Sequence, residues 1–552
     1  MGFVTDAHAQ LERLRRTGDA PSEPVARAAE TLARWYSTNT EYEVALDRLI
    51  HARILNGDSH PERLRVLEHH LLTQLGYFDE ARRLFDAQGA ASPDLHLVQA
   101  NLLLRQAAAG ELSRQEADRE RLTLIDWVFR RKNLVPVSDI LSGDVLDYDS
   151  LGGNTTASSD VDTGQPVVSI VVPAYNAEQT LPLSVNSLQK QSFPHLQILI
   201  VDDASTDGTY AVAKDLAVDD PRIVVLQHSQ NLGAYGARNT GLRNATGRYF
   251  TVHDADDWSH PQLIERQLKP LERGDSVASF SRLARVTPDM EFLLRPYRPM
   301  LEPIHWNYTS LLAGTALLRN LGGWDAVRAH ADSELIERMR EYYGNDSMVE
   351  VDPDAPLSFF LVTGSNITES SGTSLRSVDF GARREYSEQA RFWRARISAD
   401  GKVPTYKRHQ RTDAKSPFFC PRSLAPNRDR ISQTYDLIIG SDLSLTGGTR
   451  RCNLAYIDCA RKLGLRVGIF NMPRYRLRGS GTIDSTYREL FQLDDVDLLM
   501  PEDRVNSNVL LVHHPPVLRS KFVGYPNIKA ARHYLLVNQL PWEMLDYSSV
   551  QY

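Results

Sequence analysis

The run Asp254-Ala255-Asp256-Asp257 holds the residues of this chain whose types and spacing ask most directly for chemistry. Only His253 separates it from the apolar segment Tyr249-Phe250-Thr251-Val252. Carboxylates crowded at the end of a buried strand repel one another and resist desolvation unless a cation or a hydrogen-bond donor offsets them. Hard divalent ions such as Mn²⁺ or Mg²⁺ take such oxygen ligands and share them with substrate phosphates. The competing reading is an acidic turn before a helix, with Ser259 and Pro261 at its opening. Two more apolar segments end in polar clusters: Pro173-Ala174-Tyr175-Asn176 after VVSIVV, and Asp202-Asp203-Ala204-Ser205 after QILIV. Polar groups converging from separate strands are what a ligand pocket needs.

The elements that must carry these clusters are readable from periodicity. VVSIVVPAY, QILIVDDAS, RIVVLQH and YFTVHDAD are short, continuous apolar runs, separated by helical stretches such as LPLSVNSLQKQ and GTYAVAKDLAV. That alternation predicts a mainly parallel sheet covered on both faces, with ligands at the carboxyl ends of its strands. From Ala26 to about Phe129 the apolar residues recur at three- and four-residue steps, which predicts helices. Gly110 follows Gly76 by 34 residues, and Phe78, Ala81, Phe85 and Pro93 stand at tetratricopeptide-like positions, although an irregular helical domain fits the same pattern. Beyond Ser432, YDLIIGSDLSLTGGTRRCNLAYIDCARKLGLRVGIF reads as strand, glycine loop, helix, strand: a Rossmann-like unit. Its Gly447-Gly448-Thr449 loop could present backbone N–H groups to an anion.

Five segments in order resemble family 2 inverting glycosyltransferases of the GT-A fold: PVVSIVVPAYNAEQTL, ILIVDDASTDGT, ARNTGL, GRYFTVHDADDW and GGWDAVRAHADSEL. The resemblance implies a set of roles. Asp254 and Asp256 would form the DxD motif that holds a metal on the donor diphosphate, with Asp257 beside them. Pro173, Tyr175, Asn176 and Asp203 would contact the donor, Tyr175 and Asp203 at its base, and Arg238 would also face the donor. Asp332 would be the base that takes the proton of the acceptor hydroxyl, although the first acid of the family's Glu-Asp pair is replaced here by Ala331. Glu334 is its rival or a partner on the acceptor side, and Trp324, with Trp258 and Trp306, would either wall the pocket or fill the core. His253 reads as structural. The last domain resembles the N-terminal half of GT-B glycosyltransferases, which would make the natural chain longer.

The full reading is multidomain: a helical repeat domain over 1–148, a linker over 149–165, an α/β GT-A domain over 166–400, a second linker over 401–433, and an α/β Rossmann-like domain over 434–552. The expected activity is transfer of a sugar, from a UDP-sugar above all, to a glycan or glycoconjugate in cell-surface polysaccharide synthesis, with a divalent cation as cofactor. Helical repeats would serve a protein partner or self-association. Two alternatives stay open: a scaffold with an inert transferase domain, and a sugar-phosphate nucleotidyltransferase, which would usually carry a glycine-rich basic loop that PAYNAEQTL lacks. At 552 residues, 42% hydrophobic and net charge −7, the composition argues against nucleic-acid binding. Three cysteines give no disulfide framework, and no apolar run has the length of a membrane span, so a cytoplasmic protein is expected, working at most at the inner face of the membrane.

Overall fold

The structure is a computed structural model. It describes every residue except 1–3, 17–21, 57–60, 89–90, 144, 153–166, 295–300, 364–379, 407–415, 426–433, 475–481, 519–521, 523, 538–541, 546–547 and 552. Most of the first expected linker, part of the second, and part of the loop before Trp306 therefore lie outside the described residues.

Seven helices come first: α1 (Val4–Arg16), α2 (Ser22–Thr38), α3 (Tyr42–Asn56), α4 (Glu62–Gln74), α5 (Phe78–Gln88), α6 (Pro93–Ala108) and α7 (Arg114–Arg130). They fit the repeat expectation. Gly76 and Gly110 both take φ +79° just after α4 and α6, so each ends the first helix of a hairpin in the left-handed conformation that glycine adopts freely.

The middle unit is built on β1 (Val168–Ala174), α8 (Leu181–Gln189), β2 (Leu196–Asp202), α9 (Thr209–Asp219), β3 (Ile223–Gln227), α10 (Gly233–Asn244), β4 (Tyr249–Val252), β5 (Asp257–Ser259), α11 (Leu263–Glu272), β6 (Ala278–Phe280), β7 (Arg282–Val286), β8 (Phe292–Leu293), β9 (Ile304–Trp306), β10 (Leu312–Gly314), α12 (Thr315–Leu321), α13 (Ala331–Tyr343), β11 (Met348–Glu350), β12 (Pro356–Leu361) and α14 (Ala382–Ala399). The main sheet runs β11-β6-β10-β4-β1-β2-β3, with β4, β1, β2 and β3 parallel. Successive residues of β1 and β2 feed two cores. Ile170, Val172, Ile198 and Ile200 enter one, while Val171, Leu199 and Val201 enter the other. A sheet buried on both faces explains the unbroken apolar runs. A smaller sheet, β5-β12-β7-β8 with β9 on β7, packs beside it.

The last unit has β13 (Thr434–Ser441), α15 (Gly448–Lys462), β14 (Val467–Asn471), α16 (Ser485–Leu490), β15 (Val496–Leu498), β16 (Arg504–His513) and β17 (Asn527–Leu536). Its sheet order β15-β14-β13-β16-β17 is parallel throughout, as the Rossmann-like reading requires.

Both expected linkers contain packed segments. Asp149–Gly152 form a 3₁₀ turn with Ser150 and Leu151 buried. Tyr406, Phe418 and Leu424 of the second are buried in a core shared with Trp324, Tyr386 and Ile439. Their large apolar side chains make this strap a seam between the two α/β units. Arg488 reinforces it by bonding Gln389 and Glu385 of α14. Among the described residues no helix is long and apolar enough to cross a membrane.

Two fully buried histidines hold the helices and their junction. His69 bonds Gln99 Oε1 at 2.7 Å. His260 donates from Nε2 to Val135 O at 2.9 Å and accepts at Nδ1 from Gln262 N at 3.1 Å. Burial pushes both down to about 4 from an ordinary 6.5. The unfolded chain therefore binds more protons than the folded one between these values, and their contribution is complete above pH 6.5 and lost as pH falls toward 4. His69→Asn should accordingly close its stability gap to the wild type, by about 2–3 kcal/mol, between pH 7 and pH 4.5. Urea midpoints of the two proteins across that window check it, and a gap independent of pH would contradict it.

Candidate active site

Helix α10 sets the geometry of the rim. At Gly241 it lies so close to β1 that an added Cβ would stand 2.3 Å from Val171 Cγ2. Only glycine permits that approach. Three residues earlier on the same helix, Arg238 is buried at the carboxyl edge of the sheet. Its Nη2 donates to Asp254 Oδ1 at 2.9 Å, and its Nη1 donates to Asp332 Oδ1. The Tyr235 hydroxyl donates to Asp332 Oδ2 at 2.8 Å, and the Tyr235 ring centroid lies 4.9 Å from the guanidinium carbon. Burial alone would pull Arg238 down, but Asp332 and Asp254 outweigh it and raise it. Burial and Asp332 together push Tyr235 up, so it remains a proton donor.

The next residue locks the turn that carries Asp332. Asn239 donates from Nδ2 to Trp324 O at 2.9 Å and accepts at Oδ1 from Trp324 N at 3.0 Å. Gly323 has φ +71°, and a Cβ there would stand 2.3 Å from Asn239 Oδ1. Arg338, wholly buried, donates to Gly323 O at 2.6 Å. The chain then enters α13 through His330, whose φ is 81° and whose Nε2 bonds Ser387 Oγ at 2.6 Å. Asp332 is the second residue of α13, where a carboxylate also meets the positive end of the helix dipole.

The acidic loop is held through its carbonyls. Asp254 O accepts from Ser184 Oγ at 3.0 Å and from Asp257 N at 3.2 Å. His253 donates from Nε2 to Asp257 O at 3.1 Å and accepts at Nδ1 from Ser259 Oγ at 3.0 Å. Burial pushes His253 down to about 4, so it is a neutral pin. Burial and Asp254 push Asp256 up to about 6, and burial with both neighbours raises Asp257 further. Asp254 is paired with Arg238, whereas Asp256 and Asp257 make no ion pair among the described residues. The oxygens of Asp256 and Asp257, whose charge Arg285 offsets only in part, are hard donors that fit a divalent cation. Among the described residues no group of three metal-ligating side chains converges.

At the other end of the rim, Asp203 is buried. Its Oδ1 accepts from His228 Nδ1 at 2.7 Å and Leu232 N at 2.8 Å, and its Oδ2 accepts from Gly233 N at 2.7 Å. It therefore fastens the loop that starts α10 and keeps acceptor capacity on Oδ2. Tyr175 is 51% exposed and open to a stacking partner. Pro173 lies within β1. Asn176 ties two loops, its Oδ1 accepting from Thr206 N at 2.9 Å and its N donating to Ser205 Oγ at 3.0 Å. Asn176 (φ 51°) and Ala204 (φ 60°) are left-handed, so backbone strain collects at this rim.

Two expected neighbours of Asp332 turn away from it. Glu334 is buried, pairs with Arg338 at 3.1 Å and Arg394 at 3.4 Å, and accepts from Tyr406 Oη at 2.7 Å. With its charge engaged by those partners it braces the Gly323 turn. Trp324 is 2% exposed and packs on Phe250, so it is core, as is Trp258 stacked on Phe359. Trp306 is half-buried between Phe280 and Tyr308. Sequence reasoning did not single out Tyr235, Ser184, His228 or Asn239. The signal available was helical spacing, since Tyr235, Arg238 and Asn239 share consecutive turns of α10.

A mixed sheet of this order, bearing acids on its carboxyl edge, is a GT-A-like α/β domain. Residues 169–326 match the model of the family described as Glycosyl transferase family 2. The putative teichuronic acid biosynthesis glycosyltransferase TuaG of Bacillus subtilis (strain 168) is 37% identical over 125 residues, which cover 23% of this chain and 50% of that protein. The Escherichia coli UDP-Glc:alpha-D-GlcNAc-diphosphoundecaprenol beta-1,3-glucosyltransferase WfgD is 40% identical over 102 residues, covering 18% of this chain and 40% of that protein. The chain thus spans half or less of the length of these relatives. Among solved structures, S. aureus TarS 1-349 in complex with UDP-GlcNAc is 21% identical with TM-score 0.31, over 37% of this chain and 61% of that one. The mannosyltransferase PcManGT from Pyrobaculum calidifontis, in complex with GDP-Man and Mn²⁺, is 19% identical with TM-score 0.30, over 56% of this chain and 77% of that one.

Removing the buried cation should unsettle both carboxylates at once. Arg238→Met is expected to destabilise the chain by about 2–3 kcal/mol, the cost of leaving buried charge unpaired. Adding Asp332→Asn should recover part of that loss. Denaturant titrations of the two single variants and the double variant check it, and strictly additive losses would contradict the coupling.

Proposed function

We propose that this chain is a metal-dependent inverting glycosyltransferase that moves a sugar from a nucleotide-diphosphate donor, a UDP-sugar above all, to a hydroxyl of a glycan or glycoconjugate in cell-surface polysaccharide synthesis. The observation that carries this reading is Arg238, which holds Asp254 of the acidic loop and Asp332 of α13 on one guanidinium. A carboxylate suited to a cation and a carboxylate suited to a base are thereby set side by side. Inverting transfer needs both, one on the leaving diphosphate and one on the attacking hydroxyl.

Asp254, Asp256 and Asp257 would hold the divalent ion, which when bound offsets the charge that grows on the departing diphosphate. The remaining roles belong to side chains of the chain. Asp332 takes the proton from the acceptor hydroxyl. Its two oxygens already accept from Arg238 and Tyr235, and each has a further lone pair for that hydroxyl. These two donors also fix the carboxylate's orientation, so it needs no search before the proton moves. Tyr175 stacks on the nucleotide base and Asp203 accepts from its edge through Oδ2. Arg238 keeps the acidic loop and α13 in register and contributes positive charge near the donor. The names of TuaG and WfgD, a teichuronic acid enzyme and a glucosyltransferase acting on a diphosphoundecaprenol-linked sugar, support an envelope polysaccharide as the product class. The intact acidic loop and Asp332 favour catalysis over an inert scaffold.

Asp332→Asn should lower kcat by about 10²–10⁴-fold while leaving nucleotide binding intact, because only the proton acceptor is lost. Asp256→Ala should instead remove the manganese-stimulated part of donor binding. UDP release from a panel of UDP-sugars, with and without chelator, separates the two. Turnover that survives both Asp256→Ala and chelation would end the metal-dependent mechanism.

A further inference from the structure

We infer that the stretch around Tyr148, after helix α7, is a working part of the donor site, with Tyr148 as a positioning residue for the acidic loop. The inference rests on the donor-site reading above. Tyr148 lies before the matched family stretch, on a strap that begins after α7. Its hydroxyl donates to Asp256 O at 2.9 Å and lies 3.5 Å from Phe359 O. Phe359 and Phe360 of β12 pair with Trp258 and Asp257 of β5, so this one hydroxyl sits at the joint between the acidic loop and the small sheet.

The strap that carries Tyr148 is fastened at both ends. Toward the helices, Leu146 O accepts from Arg114 Nη2 at 3.0 Å and Leu146 N donates to Asp118 Oδ2 at 3.3 Å. Toward the transferase unit, Tyr148 N donates to Pro288 O at 2.8 Å. Tyr148 itself is buried in a cluster that mixes Val128 and Phe129 of α7 with Trp258, Ala284 and Phe359. The wholly buried Arg121 of α7 donates to Asp289 O at 2.9 Å and Met290 O at 2.8 Å, closing the same seam.

The consequence is specific to the loop. Asp254 O is held by Ser184 from α8 and Asp257 O by His253, both within the transferase unit. Asp256 O is held from outside it, by Tyr148. Asp256 is one of the two residues of the loop whose carboxylates lack an ion-pair partner among the described residues, and the backbone plane held at its carbonyl bears on where that carboxylate points. A donor set placed before the ligand arrives loses less freedom on binding. Groups of this kind behind metal ligands commonly change affinity about 10- to 100-fold when removed.

The test titrates Mn²⁺ with UDP into the full chain by calorimetry, and UDP alone in chelator, for wild type, Tyr148→Phe and Arg105→Ala. The last variant cuts the Arg105–Glu291 pair at the same seam without touching the loop. Tyr148→Phe is expected to weaken the manganese-dependent affinity about tenfold and to leave metal-free UDP binding unchanged, while Arg105→Ala matches wild type. Equal loss in both conditions, or no loss, overturns the inference while the donor-site reading stands. A wild-type chain that gains nothing from manganese overturns both. Should Tyr148→Phe not fold, Arg114→Ala loosens the same strap from its half-exposed end and must show the same selective loss, and its absence again overturns the inference.

Discussion

A single buried guanidinium, Arg238, is the constraint on which the site depends. It bonds one carboxylate at the tip of β4 and another at the start of α13, elements separated by some eighty residues of chain. A lone buried cation is expensive, and so are two carboxylates drawn together at the edge of a sheet. Each solves the other's problem. The fold must then deliver three charged groups to one place within hydrogen-bond tolerance, and most of the local structure described here serves that delivery.

The route is short in sequence terms. Gly241 lets α10 press on β1, Arg238 follows from that contact, and Asn239 grips the backbone of Trp324. Arg338 grips the same turn from behind, with Glu334 and Tyr406 neutralising and flanking it. Two segments that look like separate motifs in the sequence, ARNTGL and GGWDAVRAHADSEL, are in fact one interlocked piece. This explains why Glu334 can be buried beside the site and yet serve it only through Arg338. An acid two residues after Asp332 on a helix faces away from it, and α13 has the protein interior on that side.

Much of this was legible beforehand, for a physical reason. Strands buried on both faces must be continuously apolar, so the sheet announced itself, and the polar residues that end each strand marked the rim. Asp203, Arg238, the acidic loop and Asp332 were singled out on that basis and on the resemblance, and the structure brings the last three into one cluster. What was missed is of another kind. Tyr235, Ser184 and Tyr148 act through hydroxyls on neighbours distant in sequence, and nothing in a tyrosine's local context says whether its hydroxyl is needed. Within the linker expected over 401–433, prolines and basic residues dominate the composition, whereas Tyr406, Phe418 and Leu424 among the described residues are packed in the core. A few large apolar residues are enough to dock a segment that looks polar on average.

The same argument bears on how the three units of the chain relate. A repeat domain attached by a free linker would move independently and could affect the site only by bringing a partner near. Here the hydrophobic cluster that contains Leu97, Ile125 and Phe129 of the helices also contains Trp258, Phe292 and Leu357 of the transferase unit, so neither part can withdraw without exposing apolar surface. Asn101 adds a pair of backbone bonds to Phe292, accepting from its N at 2.8 Å and donating to its O at 2.7 Å. That is how a strand greets its neighbour, made by a side chain, and it fixes β8 against α6. The small sheet is therefore built from both sides, and β5, which closes the acidic loop, is one of its strands. The helices lie behind the acidic rim as its foundation, and the placement of the carboxylates is a property of the helical and α/β units together.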